Sequence, residues 1–281
     1  MAESPDEMVL LDGDDVPELV YARVAGGAVA AYTSRAPDKT TANEDSVAVI
    51  PYGPGAAVFA VADGAGGLPA GRRASRMAIN SLDESLQDSM QKTTLLRTAI
   101  LNGIEAANLA VLEMGMGAAT TLTVVTIEGS LLRTYHIGDS EAIVVGQRGV
   151  IKSQTMAHSP TGFAVEAGFL DLKDALHHEE RHLVSNFLGT SDMRIDMGAE
   201  VQMRPRDTVL LASDGLTDNL HTHEITAMIR KGPLPDVMDS LISLAKRRMT
   251  VESTHQPSKP DDLSIIVFRK PYKARLPVQP K

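Results

Sequence analysis

Residues 120–151, TTLTVVTIEGSLLRTYHIGDSEAIVVGQRGVI, decide the fold. Residues 120–127 are β-branched and apolar, Glu128-Gly129-Ser130 interrupts them, and 131–137 resume the pattern. Gly138-Asp139 breaks it again before 142–145, and 147–149 separate that run from Val150 and Ile151. Runs joined by such short turns must pair as antiparallel hairpins, because a parallel crossover needs about a dozen residues or more. The stretch therefore predicts antiparallel sheet and argues against a doubly wound parallel one, which would place a helix in each gap.

Working outward, helices and strands come in separate blocks. Residues 46–50 and 56–63 (AAVFAVAD) predict strands. Residues 72–90 carry Ala74, Met77, Ala78, Leu82 and Leu86 on one helical stripe, and 94–114 carry Leu95, Leu96, Ala99, Ile100, Ile104 and Ala107. Residues 197–203 and 208–212 predict a strand pair around Pro205-Arg206-Asp207. Residues 235–249 predict a helix with Asp236 and Asp239 at its start and Lys246, Arg247 and Arg248 at its end, as the helix dipole favours. Residues 263–268 (LSIIVF) predict a closing core strand. The fold class is α+β. Residues 1–18 read as an acidic, disordered lead and 271–281 as a basic, Pro-containing tail.

The 281 residues suffice for a full core, and 43% hydrophobic with 22% charged is ordinary for a globular chain. A net charge of −9 argues against nucleic acid or an anionic membrane as partner. The absence of cysteine excludes disulfides, thiolate zinc sites and thiol nucleophiles, and fits a reducing compartment. With no apolar signal core and no run near the roughly 20 residues of a spanning helix, the reading is a soluble cytoplasmic protein.

Aspartates recur at strand ends. Residues 58–63 end at Asp63-Gly64, 133–139 end at Asp139, 208–214 end at Asp214-Gly215, Asp261-Asp262 precedes the last strand, and Glu44-Asp45 opens the strand at 46. One such aspartate is usually a turn former or a cap. Several on strands that share sheets are costly unless protons or cations compensate them. Without thiolates the donors are hard oxygens, which select Mg²⁺ or Mn²⁺ over zinc. Two such ions bridged by a carboxylate suit in-line attack of water on phosphorus.

Six strings carry a family resemblance: NEDS (43–46), VADGAGG (61–67) followed by Gly71 and Ala74-Ser75, GAATTL (117–122), HIGDS (136–140), LLASDGLTD (210–218) and DDLSIIV (261–267). Their order and spacing resemble the metal-dependent serine/threonine protein phosphatases of the type 2C or PPM family. GAGG, in place of a histidine after Asp-Gly, resembles the bacterial branch. The resemblance implies two stacked antiparallel sheets flanked by helices, in one domain over 19–270. It implies that Asp63 bridges two metals with the Gly64 carbonyl as a further ligand, and that Asp214 and Asp261 complete one site. It further implies that Glu44 and Asp45 sit on the other, directly or through water, and that Asp139 with Asp214 holds a third, weaker ion. Asp63 and Asp214 become the catalytic carboxylates. The implied reaction is direct attack of metal-bound hydroxide on phosphoserine or phosphothreonine, with no phosphoenzyme. Implied partners are phosphorylated proteins and a cognate serine/threonine kinase or its targets; a monomer is the default. Residues 155–189 resemble the variable flap.

The departures are specific. Thr40 stands where the family places a phosphate-binding arginine, with Arg35 and Lys39 nearby as substitutes or as solvated loop charges. Leu68 and Ala65 stand where relatives have histidine, and Glu141 replaces an arginine. A weak or inactive scaffold of the same fold is therefore the alternative. A parallel α/β phosphotransferase using an aspartyl phosphate is a further one, disfavoured by the hairpins. His136 reads as a packed strand residue; His178 and His182 have the i, i+4 spacing of a metal pair, but with no third ligand evident they read as part of a polar flap run. Arg72 and Arg73 read as surface charges, and Asp192, Asp218 and Asp262 stand outside the ligand set.

Overall fold

The computed structural model describes residues 5, 7–12, 17–65, 70–115, 117–171, 174, 178, 180, 183–251 and 256–271. Leu68, His177 and His182 lie outside them, as do most of the tail and part of the lead.

One sheet has strand order β1 (Val9–Leu11), β4 (Ser46–Pro51), β5 (Ala56–Ala62), β8 (Leu122–Glu128), β9 (Leu131–Ile137) and β12 (Asp196–Met197), with β13 (Val201–Gln202) also on β9. The other has the order β11 (Ile151–Gln154), β10 (Glu141–Val145), β14 (Thr208–Ala212), β15 (Leu263–Arg269), β3 (Gly27–Ser34) and β2 (Glu18–Val24). Every pairing is antiparallel. The hairpin reading of 120–151 holds for β8 with β9 and for β10 with β11, but β9 and β10 do not pair: the chain changes sheets between them at the Gly138-Asp139 turn.

The sheets stack through Val47, Phe59, Val61, Val125, Val144, Leu211, Ile266 and Phe268. The Phe59 and Phe268 rings meet at a centroid distance of 5.2 Å. The alternate residues Ala48, Ile50, Val58 and Ala60 face α1 (Ala70–Lys92) and α2 (Leu96–Met114), through Ala78, Leu82, Ile100 and Ile104. On the opposite outer face Tyr32, Ile143, Leu210 and Ile265 pack with Leu216, Ile225, Val237 and Leu241. Those side chains come from α4 (Asp214–Thr217), α5 (Thr222–Ile229) and α6 (Leu234–Thr250). Burial on both faces explains why the central strands read as continuous apolar runs and not as alternation. No helix among the described residues is long and apolar enough to cross a membrane.

Two expectations are corrected. Residues 197–203 do not pair with 208–212: β12 and β13 pair with β9, whereas β14 lies in the other sheet between β10 and β15. The turn at Pro205-Arg206-Asp207 carries the chain across, with Met203 N donating to Ser130 O at 2.8 Å and Arg206 N to Lys270 O at 2.8 Å. The acidic lead is not wholly disordered either, since Val9–Leu11 pairs with β4 in the register Leu11↔Val47 and Leu11 is buried.

Candidate metal centre

Antiparallel register gathers the acidic positions at one edge of the sandwich. Ser46 pairs with Ala62, so Glu44-Asp45 before β4 meets Asp63 after β5. Ala212 pairs with Ile265, so Asp214 after β14 meets Asp261-Asp262 before β15. Glu141 pairs with Ala212 and Leu122 with Ile137, which brings the Asp139 turn to the same edge. Leu263 pairs with Ser34, placing Arg35 and Lys39 there too. Each sheet supplies part of the cluster.

Local bonds fix the backbone. Asn43, fully buried, donates to Thr33 Oγ1 at 2.8 Å and accepts from Asp45 N at 3.1 Å. Asp63 O accepts from Thr120 Oγ1 and Thr121 N, both at 2.8 Å. Gly64–Ala65 (β6) pairs with Ala119–Thr120 (β7). At Gly71, a Cβ would lie 2.6 Å from Glu44 Oε1 and 2.8 Å from Gly64 O. The missing side chain thus leaves a space that a carboxylate and a carbonyl oxygen both face. Gly215 allows equally close packing, since a Cβ there would lie 1.9 Å from Asp262 O.

The electrostatics are those of a cluster short of cations. Burial, then Asp45, Asp214, Asp261 and Asp139, push the Asp63 carboxyl well above its ordinary pKa. Burial and Asp261 do the same to Asp214, against the pull of Lys259. Asp45 is pushed up to about 8 by burial and Asp262. Asp139 is pushed up to about 6 by burial and Asp218. Burial lifts Glu141 to about 7, against its bond from Gln154 Nε2 at 2.9 Å. Ser213 Oγ donates to Asp45 Oδ2 at 2.9 Å. Glu44 Oε1, Asp45 Oδ1 and Asp214 Oδ1 are buried without a hydrogen-bond partner. Orphaned anionic oxygens of this kind are costly unless a cation meets them. The donor set, all carboxylate and carbonyl oxygen, fits Mg²⁺ or Mn²⁺. Among the described residues no three acidic or histidine side chains already form a finished coordination shell.

Two lysines enter the cluster. Lys39 Nζ donates to Asp262 Oδ2 at 2.6 Å and Glu44 Oε2 at 3.0 Å. Burial disfavours its charge, but those two carboxylates outweigh burial and raise its pKa. Lys259 Nζ bonds Asp214 and lies 3.1 Å from both Asp218 and Asp261. Asp262 also accepts from the N–H groups of Ala36 and Glu44, each at 2.8 Å. Lys259, Asp218 and Asp262 are the site residues that the sequence reading left out. A lysine followed by proline looks like a loop charge, and only the fold brings it to Asp214.

His136 is buried in β9, bonded to Thr123 Oγ1 at 3.0 Å and Met156 O at 3.1 Å, a packed strand residue. His158 ties the start of the flap to the Asp139 turn: its Nδ1 accepts from Gly138 N at 3.1 Å and its Nε2 lies 3.0 Å from Asp196. Ser159 caps the flap helix α3 (Pro160–Glu166). Arg72 and Arg76 lie 3.9 and 3.1 Å from Asp12.

The protein phosphatase 2C family model matches residues 35–254. Protein phosphatase PhpP of Streptococcus pneumoniae is 30% identical over 216 residues, covering 74% of this chain and 87% of its own. Among solved structures, the Mycobacterium tuberculosis serine/threonine phosphatase PstP/Ppp is 28% identical with a TM-score of 0.69, over 87% of this chain and 98% of its own. The catalytic domain of PstP in complex with two manganese ions is 26% identical with a TM-score of 0.66, over 90% of this chain and 99% of its own.

Proposed function

The chain belongs to the protein phosphatase 2C family, and from that premise we propose how its acidic edge hydrolyses phosphoserine and phosphothreonine in proteins. It is a metal-dependent serine/threonine phosphatase of the bacterial type. Asp63, Asp214 and Asp261, with Glu44, Asp45 and the Gly64 carbonyl, would hold two divalent ions, Mn²⁺ or Mg²⁺. Bound there, the ions would supply positive charge that acidifies water near neutral pH and neutralises phosphoryl oxygens.

The chain's own groups do the rest. Asp63, between the ligands of the two sheets, orients the attacking water in line with the phosphorus. The water gives up a proton to solvent and its oxygen forms a bond to phosphorus as the bond to the serine or threonine oxygen breaks, and that oxygen leaves with a proton from solvent. Ser213 holds Asp45 Oδ2, which leaves the unpartnered Oδ1 as the oxygen that would meet a cation. Lys39 steadies Glu44 and Asp262, so its support of the phosphate is indirect, and Arg35 on the same edge is the guanidinium for the phosphate fork. Residues 19–270 act as one catalytic unit. Phosphorylated proteins are the substrates, and a serine/threonine kinase acting on the same targets is the natural counterpart.

The observation that carries this reading is the set of buried, unpartnered oxygens on Glu44, Asp45 and Asp214. The test is Mn²⁺-dependent phosphate release from a phosphothreonine peptide. Asp63→Asn and Asp214→Asn should each lower turnover by about 100-fold or more. Undiminished release by either variant removes the mechanism.

A further inference from the structure

Lys259 occupies its place by construction. The side-chain amide of Asn219, fully buried, reads both sides of the Lys259 peptide: Oδ1 accepts from Lys259 N at 2.8 Å and Nδ2 donates to Lys259 O at 2.8 Å. The same Nδ2 donates to Gly215 O at 2.9 Å, so a single amide couples this lysine to the turn that bears Asp214. Pro260 follows and fixes the backbone on the C-terminal side. From this anchored base the ammonium reaches one oxygen each of Asp214, Asp218 and Asp261. An ammonium has three N–H donors and no acceptor, which suits a position ringed by carboxylates: it hydrogen-bonds Asp214 and lies at ion-pair distance, 3.1 Å, from Asp218 and Asp261. Its charge also acts on Asp139.

A divalent ion placed among these carboxylates would need oxygens at about 2.0–2.2 Å. The ammonium lies on Oδ2 of Asp214 and leaves the unpartnered Oδ1 to a core ion, so what it fills is the Oδ2 side, where a further divalent ion and the ammonium nitrogen exclude each other. We propose that Lys259 is a tethered monovalent cation that fills the position between Asp214, Asp218 and Asp261, closes it to a third divalent ion and steadies these carboxylates before metal arrives. A third ion on Asp139 and Asp214, as the family resemblance implies, would then have to compete with a charge that never diffuses away. Lysine suits this role better than arginine, because a compact point charge fits among three separate carboxylates where a planar fork pairs best with one.

The inference rests on the ligand roles proposed above, and the two fail differently. Mn²⁺ binding to the full chain is followed by titration calorimetry, and the metal-free protein by thermal melting in EDTA. Wild type should take up two equivalents. Lys259→Met should take up a third, or bind its weakest equivalent at least tenfold more tightly, and should melt lower than wild type in EDTA with the gap closing at saturating Mn²⁺. Lys259→Arg, which keeps the charge, should stay at two equivalents. If Lys259→Met does not fold without metal, the variant purified in Mn²⁺ and desalted is counted for metal, with three ions per chain expected against two. Unchanged stoichiometry and affinity in Lys259→Met overturn the proposal, as does a third equivalent in wild type. A wild type that binds no Mn²⁺ overturns the ligand assignment instead.

Discussion

At the scale of single residues, His136 shows how the fold keeps one imidazole neutral. Burial first, then the neighbouring His158, push its pKa down to about 3 from 6.5. The unfolded chain takes up that proton near the ordinary value, so the contribution to stability is complete above about pH 6.5 and is lost as pH falls toward 3, by up to about 1.4 kcal/mol per pH unit. The raised carboxyls of Asp45, Asp139 and Glu141 act in the opposite sense in metal-free protein, because protonation favours the folded form. Comparison with His136→Gln cancels them. The stability of wild type should fall relative to the variant between pH 6.5 and 4.5, read as urea midpoints; parallel curves would show that the imidazole titrates normally. At this scale the strand-end aspartates were legible because each borders an apolar run beside a glycine or another acid. Lys259 and Asn219 were not, since their roles depend on a contact 40 residues apart in the chain.

At the scale of elements, α1 brings a glycine to the metal edge and α6 locks the opposite layer. Gly71→Ala puts a methyl between Glu44 Oε1 and Gly64 O. It should raise the Mn²⁺ midpoint for activity about tenfold or more while circular dichroism shows the helix intact; an unchanged midpoint would remove the Gly64 carbonyl and Glu44 from the metal. In α6, Arg248 is buried and donates to both oxygens of Glu224 in α5, at 2.8 and 2.6 Å, and to Asn219 O at 2.7 Å. Arg248→Met strands the Glu224 carboxylate, and a loss of about 2–3 kcal/mol by denaturant unfolding is expected, the partial exposure of Glu224 tempering the cost. The long elements were readable because burial imposes a period on them: 72–90 became α1 at 70–92, and 131–137 became β9 unchanged. β1, β12 and β13 have three residues or fewer, too few to show a period, and the partner of a short strand is set by the sheet it reaches.

For the molecule as a whole, the acidic edge is where the two sheets meet, Glu44, Asp45 and Asp63 coming from one and Asp214 and Asp261 from the other. A cation held between them would join the layers. Mn²⁺ at about 100 times its dissociation constant should add about 2.7 kcal/mol per site, visible as a melting temperature that climbs with Mn²⁺ and falls back in EDTA. A melting curve indifferent to Mn²⁺ would show that the ions do not bridge the sheets. The neighbouring edge strand has a practical bearing on how the protein is made. β1 covers the outer side of β4, and the residue after it, Asp12, offers its carbonyl to Asn43 Nδ2 at 3.2 Å. Trimming the charged leader back to Pro17 to tidy an expression product would bare the backbone of β4 and take an acceptor from the amide that sets Glu44 and Asp45. Such a shortened product should self-associate through the uncovered strand and need more Mn²⁺ for half-activation.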